Sequence, residues 1–235
     1  MSNYDAVAIG GSTRRRGTVT PNFRYLVGLA DKRRPRICYL PTASGDPQEN
    51  IDQFFRTAAR IQCKPSVLSL FRTDVVDMHA HLRAQDVIFV GGGNTRNMLL
   101  LWKAWGIDTA IREAWERGAV IGGTSAGGLC WFENGVTDSY PNVYRELDCL
   151  GWLPGSFCPH YDSEPQRQSA IRKLLREGKI ADGYAADDDI ALHFRKGKLY
   201  RVLSQRRGAK AFSYSRSGSK TTIRTIDPEP HRALR

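Results

Sequence analysis

The stretch Ala119-Val120-Ile121-Gly122-Gly123-Thr124-Ser125-Ala126-Gly127-Gly128 decides how this chain is read. It is a short apolar run, then a serine between glycines, then the start of a new segment. Its centre, Gly123-Thr124-Ser125-Ala126-Gly127, fits G-x-S-x-G, the spacing of a nucleophile elbow. There a serine sits on a sharp strand-to-helix turn, and neighbouring glycines are needed because a Cβ would collide with the crowded backbone. A buried strand on one side and a helix start on the other put the hydroxyl at the carboxyl edge of a sheet. Backbone N–H groups at that edge can receive an oxyanion. The pattern alone recurs in many Gly- and Ser-rich turns, so its meaning depends on what surrounds it.

Upstream of the elbow, strand and helix patterns alternate. Residues 4–9 form an apolar run that stops at Gly10-Gly11-Ser12-Thr13. This turn lacks the full G-x-G-x-x-G and reads as a structural turn beside the site. Residues 21–30 place Phe23, Leu26, Val27 and Ala30 at helical spacing. Strands are expected at 36–40, 66–70 and 86–90, and helices at 51–61, 74–84, 96–105 and 107–117. The 86–90 strand closes in Gly91-Gly92-Gly93-Asn94-Thr95. Such alternation predicts an α/β fold with a mostly parallel sheet flanked by helices on both faces. Ligands then bind outside the carboxyl ends of the strands, where the two glycine loops would share a cleft. After Leu129 the character changes. Residues 133–154 read as loop, 155–159 as a short strand reaching His160, and 166–177 as a helix. Strands follow at 190–194, 198–203, 210–214 and 221–226, read as antiparallel hairpins closing one edge of the sheet. With no linker and no repeat, residues 1–235 read as one α/β domain.

Composition narrows the function. The chain has 235 residues, 41% of them hydrophobic, enough for a substantial core. Lys and Arg number 35 against 24 Asp and Glu, a net +11 that favours anionic partners. The basic runs Arg14-Arg15-Arg16 and Lys32-Arg33-Arg34 are short and lack interleaved aromatics, so a nucleic-acid partner is not expected. The 5 cysteines are odd in number and form no C-x-x-C, which argues for reduced thiols in a cytoplasm. No apolar stretch nears the roughly 18 residues of a membrane span, and the first residues do not read as a signal peptide. No cluster of His, Cys and carboxylate has ligand spacing, so neither metal nor organic cofactor is expected.

A serine hydroxyl needs a base, and the base needs a third group to orient it. His79 and His81 fall on a helix and read as surface residues. His193 falls within a strand, and His231 in the tail. His160, in Cys158-Pro159-His160-Tyr161-Asp162, follows an apolar run on a proline-stiffened approach and is the candidate base. Two acids are open: the cluster Asp187-Asp188-Asp189, and Asp138 in Thr137-Asp138-Ser139. Turn capping would account for either.

Together, Gly91-Gly92-Gly93-Asn94-Thr95, Gly123-Thr124-Ser125-Ala126-Gly127 and Pro159-His160-Tyr161 before a helix resemble the peptidase E and cyanophycinase family of serine peptidases. The resemblance runs from the first strand to the strand after the aspartates. It implies a fold similar to class I glutamine amidotransferases, with serine where those carry cysteine. It further implies Ser125 as nucleophile, His160 as base, and the N–H groups of Gly93 and Ala126 as oxyanion donors. The third member, usually a glutamate, maps to Asp188, with Asp187 as the alternative. Asp138 matches an aspartate that orients the site or holds the substrate's amino group. Arg167 matches an arginine whose fork would bind an acidic side chain, and Asn94 joins it on the substrate side. The activity implied is hydrolysis of short peptides such as Asp-X dipeptides. The alternatives are a cyanophycinase-like or esterase hydrolase, or a non-catalytic binding protein. Oligomeric state stays open, a homodimer included.

Overall fold

All five residues of β1 (Asp5–Ile9) are buried. Ala6 and Ala8 join one core, Val7 and Ile9 another, as the period of two along a strand requires. A strand buried on both faces belongs inside a sheet covered on both sides. The computed structural model describes residues 4–13, 19–72 and 74–231. The run Arg14-Arg15-Arg16 and the first three residues lie outside the described residues.

The alternation continues with α1 (Pro21–Gly28), β2 (Arg36–Leu40), α2 (Gln48–Ala58), β3 (Lys64–Val67), α3 (Met78–Arg83), β4 (Val87–Val90), α4 (Thr95–Trp105), α5 (Ile107–Glu116), β5 (Val120–Thr124) and α6 (Ala126–Leu129). Local chemistry sets the helix starts. Thr20 caps α1 by accepting from the Phe23 N–H, with Pro21 in the first turn. Asn94 caps α4 by accepting from the Asn97 N–H, and Gly106 ends it in a left-handed conformation. Strands β1, β5, β4, β2 and β3 lie side by side in that order and run parallel. Phe23, Leu26 and Phe54 from α1 and α2 cover one face; Met98, Trp102, Ile107 and Ile111 from α4 and α5 cover the other. The carboxyl ends of β1, β5 and β4 are therefore neighbours, each leading into a glycine-bearing turn.

The second half contributes β6 (Phe132–Tyr140), β7 (Val143–Asp148), β8 (Leu153–Cys158), α7 (Gln166–Arg176), β9 (Gly183–Ala186), β10 (Ile190–Arg195), β11 (Lys198–Ser204), β12 (Ala211–Ser217), β13 (Lys220–Ile226) and β14 (Glu229–Pro230). Here the structure corrects the sequence-based picture twice. Residues 133–154 are not loop: β6 and β7 form an antiparallel hairpin turning at Asn142, with φ 57°. Half-exposed β7 has no apolar alternation to announce it. The C-terminal strands also split. β10 and β11 extend the first sheet beyond β1, whereas β12 and β13 pair onto β9 in a second sheet ordered β13-β12-β9-β8-β6-β7. This sheet packs on the first through Phe132 and Phe157, with Phe132 edge-on to Phe194 of β10 at 5.3 Å. Helix α7 covers its outer side with Ile171, Leu174 and Leu175. No helix among the described residues is long and apolar enough to cross a membrane.

Candidate active site

Ser125 follows the last residue of β5 and adopts φ 54°, ψ −114°. A non-glycine residue there carries about 1–3 kcal/mol of strain and persists only where its surroundings hold it. Three backbone bonds do so. The Ser125 N–H donates to the Ile9 carbonyl at 2.9 Å, and the N–H groups of Gly128 and Leu129 each donate to the Ser125 carbonyl at 2.9 Å. The sharp strand-to-helix turn expected at G-x-S-x-G is thus present.

His160 follows β8, also at positive φ (55°). Its N–H donates to the Gly10 carbonyl at 3.2 Å, and the next N–H, of Tyr161, to the Ala186 carbonyl at 3.1 Å. The residue is pinned between the ends of β1 and β9, so both sheets contribute. Its ring Nδ1 lies 2.7 Å from Asp188 Oδ1. Burial works to raise the Asp188 carboxyl, but the hydrogen bond and charge of His160, with Ser163 and Arg206, hold it below the usual carboxylate range. Asp188 is therefore ionised at neutral pH. Gly11 makes this pair possible. A methyl group there would strike Asp188 Oδ1 and lie 2.5 Å from His160 Cε1 and Nδ1.

Ser125 and His160 line one cleft of about 510 Å³, together with Gly11, the loop Gly91 to Gly93, and side chains of α1 and α2. A methyl group on Gly92 would sit 3.3 Å from Ser125 Cβ and 3.8 Å from its Oγ, so the glycine loop lies against the serine. Gly93 has φ +137°, and any Cβ would run into the Ala43 carbonyl. Among the backbone hydrogen bonds of the described residues, Gly91 and Asn94 are committed to Leu40 and Ala43, and none takes up the N–H of Gly92, Gly93 or Ala126. No group of three or more His, Cys, Asp or Glu among the described residues could hold a metal ion.

The model of peptidase family S51 matches residues 6–202, a span that takes in Ser125, His160 and Asp188. The chain belongs to peptidase family S51. It is 49% identical over 189 residues to Uncharacterized peptidase YgaJ of Bacillus subtilis (strain 168), covering 80% of this chain and 82% of that one. It is 27% identical over 187 residues to Peptidase E of Pasteurella multocida (strain Pm70), covering 75% and 78%. A crystal structure of a peptidase from an acI-B1 Actinobacterium has the same fold, with a TM-score of 0.69 at 18% identity over 94% of this chain and 96% of that one. The S51 chain is a peptidase, hence a hydrolase.

Three residues expected on the substrate side of this S51 peptidase are elsewhere. Arg167, Asp138 and Asn94 do not line the cleft. Arg167 is 1% exposed. Its Nε donates to Glu164 Oε2 at 2.7 Å and its guanidinium to the Val136 carbonyl at 2.9 Å, with Asp138 Oδ1 at 3.6 Å. A buried guanidinium needs such partners, so its fork is already filled from within the chain. Asn94 spends its side chain capping α4 and donating to the Ser139 carbonyl at 3.1 Å.

The three adjacent aspartates divide their work. Asp187 Oδ2 accepts the Lys210 N–H at 2.8 Å and does not face His160 through any bond of the described residues. Asp189 accepts from Thr13 and from Gln205 Nε2 at 2.6 Å, with Arg206 Nε 3.3 Å away. His193, which falls within β10, is buried between Tyr25 (2.7 Å) and Asp5 (2.9 Å). Sequence reasoning missed the far wall of the cleft, formed by Phe23, Tyr39, Phe54 and Phe89. Their signal in the sequence was ordinary core periodicity, which does not tell a cleft wall from a core.

Proposed function

We propose that this S51 chain is a serine peptidase acting on short peptides, with Ser125 as nucleophile, His160 as general base and Asp188 as the group that orients it. The observation that carries the reading is the 2.7 Å contact from His160 Nδ1 to Asp188 Oδ1, behind a histidine that shares its cleft with the strained Ser125. With Nδ1 committed to an ionised carboxylate, Nε2 is the nitrogen left to accept the Ser125 proton. Ser125 Oγ then attacks the peptide carbonyl, and the oxyanion meets the N–H groups of Gly93 and Ala126. The tetrahedral intermediate collapses as the imidazolium returns its proton to the leaving amine, and water repeats the sequence to release the acyl group. A volume of about 510 Å³ lies in the range of small-ligand sites and suits short peptides rather than protein segments. Five unpaired cysteines, four of them buried, suit a reducing cytoplasm.

The test is turnover of a dipeptide panel by the wild type and by Ser125→Ala, with mass-spectrometric localisation of a fluorophosphonate adduct. The expectation is a label on Ser125 and a loss of about 10⁴-fold or more in kcat for the variant. Undiminished turnover by Ser125→Ala would overturn the assignment.

A further inference from the structure

Asp188 belongs to no strand. Residues 187–189 connect β9 of the second sheet to β10 of the first, so strand pairing does not set the direction of its side chain. Its backbone is held from both sides instead. The Asp188 N–H donates to Asp162 Oδ1 at 2.9 Å, and the Asp188 carbonyl accepts from Arg206 Nη2 at 3.1 Å. The same Nη2 donates to Asp162 Oδ2, which closes a ring of three contacts around one residue. Arg206 Nε lies 3.3 Å from Asp189 Oδ2. Each partner is anchored in turn. Asp162 follows His160 by two residues, in a turn closed by the Glu164 N–H donating to the His160 carbonyl at 3.0 Å. Arg206 lies between β11 of the first sheet and β12 of the second. There its N–H donates to Ser204 Oγ at 3.2 Å, and its carbonyl accepts from that hydroxyl at 2.6 Å.

We propose that Arg206, paired with Asp162, is a positioning residue for the reaction: the pair fixes the backbone of Asp188 and so aims its carboxylate at His160 Nδ1. The inference rests on Ser125, His160 and Asp188 acting as set out above. The ion pair joins two connections that cross between the sheets to the turn that carries His160. It therefore sets the distance between acid and base from both ends. Charge adds to geometry. Asp162 and the three adjacent aspartates repel one another, and Arg206 is the cation set among them. Burial works against an ionised Asp188, and the charge of Arg206 adds to the contacts of His160 and Ser163 that keep it ionised. A role in stability alone would be small, because the two side chains are 35% and 32% exposed and exposed ion pairs contribute little. A role in positioning is large, since about 1 Å of misplacement costs on the order of 10² in rate. Neither residue is among those that line the cleft, so neither is placed to bind substrate.

The test compares wild type, Arg206→Met, Arg206→Lys, Asp162→Asn, the double variant Asp162→Asn/Arg206→Met, and Ser125→Ala. Three quantities are read: kcat and KM on a dipeptide panel, with kcat expressed per serine labelled to completion by a fluorophosphonate; the rate of that labelling, which needs no peptide; and the urea midpoint. Arg206→Met should lower kcat and the labelling rate about 10–10²-fold, with KM within about threefold and little change in the midpoint. Arg206→Lys, whose ammonium can donate to both Asp162 and the Asp188 carbonyl, should recover at least about tenfold of that loss. The double variant should lose no more than Arg206→Met, because the two residues act as one unit. If Arg206→Met does not fold, Asp162→Asn, which keeps an acceptor for the Asp188 N–H, carries the same expectation in the same direction. Folded Arg206→Met or Asp162→Asn within about threefold of wild type in both rates, or Arg206→Lys no better than Arg206→Met, overturns this proposal and leaves the catalytic reading standing. Turnover that survives in Ser125→Ala, or a label that does not fall on Ser125 of the wild type, overturns the catalytic reading and the proposal with it.

Discussion

Replacing Asp188 by asparagine tests the site at its central contact. Asp188 Oδ1 accepts from His160 Nδ1 at 2.7 Å, and it does so as an anion held below the usual carboxylate range. Asparagine keeps the size but loses the charge. It also offers an amide that can donate to Nδ1, which would leave the proton on Nε2, where it blocks proton transfer from Ser125. A wrong tautomer of this kind costs about 10³–10⁴ in kcat, or about 4–5.5 kcal/mol of barrier at 1.36 kcal/mol per decade. The flanking aspartates are internal controls. Asp187→Asn keeps the acceptor that the Lys210 N–H needs, so its kcat should stay within about threefold, as for changes outside named mechanisms. Asp189→Asn disturbs the Thr13, Gln205 and Arg206 contacts and should lower stability more than kcat. The assay is kcat on the best dipeptide, with urea unfolding of each variant to show that the fold is retained. The reasoning is refuted if folded Asp188→Asn keeps kcat within tenfold of wild type, or if Asp187→Asn or Asp138→Asn takes the large loss instead.

Gly11→Ala would press a methyl group onto Asp188 and His160; displacement of this order costs about 10²-fold in kcat, measured against an unchanged circular dichroism spectrum. Gly93→Ala must resolve φ +137° and a clash with the Ala43 carbonyl, and should lower kcat about 10²–10³-fold through a misplaced oxyanion donor, with a fall in Tm read by calorimetry. Burial, aided by the charges of Asp162 and Asp188, raises the Asp187 carboxyl above its unfolded value despite the Lys210 amide. Its ionised form therefore disfavours the fold as pH rises through the folded pKa, so Asp187→Asn should raise Tm at pH 7, with the gain vanishing towards pH 3 where both states are protonated. Arg167→Met removes a buried cation from Glu164 and the Val136 carbonyl and should cost about 1.5–3 kcal/mol of stability, as lost charged hydrogen bonds do. The ratio of Asp-Ala to Phe-Ala turnover should not change.

Much of this protein was written locally. The elbow around Ser125, the glycine loop at Gly91 to Gly93 and the alternation through residue 117 are short-range signals. A G-x-S-x-G turn, a helix cap or a buried strand imposes its residue types within a few positions, because backbone sterics and the hydrogen bonds of one turn act over that distance. His160 stood out among the histidines for the same reason, through its proline-braced approach after an apolar run. Other features depend on contacts between distant positions. Pairing of β12 with β9 builds the second sheet, and that sheet brings His160 to Gly10 and Asp188 to His160 across 28 positions. Which of Asp187, Asp188 and Asp189 contacts His160 depends on the direction each side chain takes around a positive-φ residue, Asp189 at 72°. Arg167 looked like a free cation at a helix start; only packing against Glu164 and Tyr144 revealed it as buried and occupied. Likewise Phe23, Tyr39, Phe54 and Phe89 obey core periodicity in four separate elements. That they gather into one wall beside Ser125 is decided by the folded arrangement, since hydrophobic patterning says which face is buried but not what it is buried against.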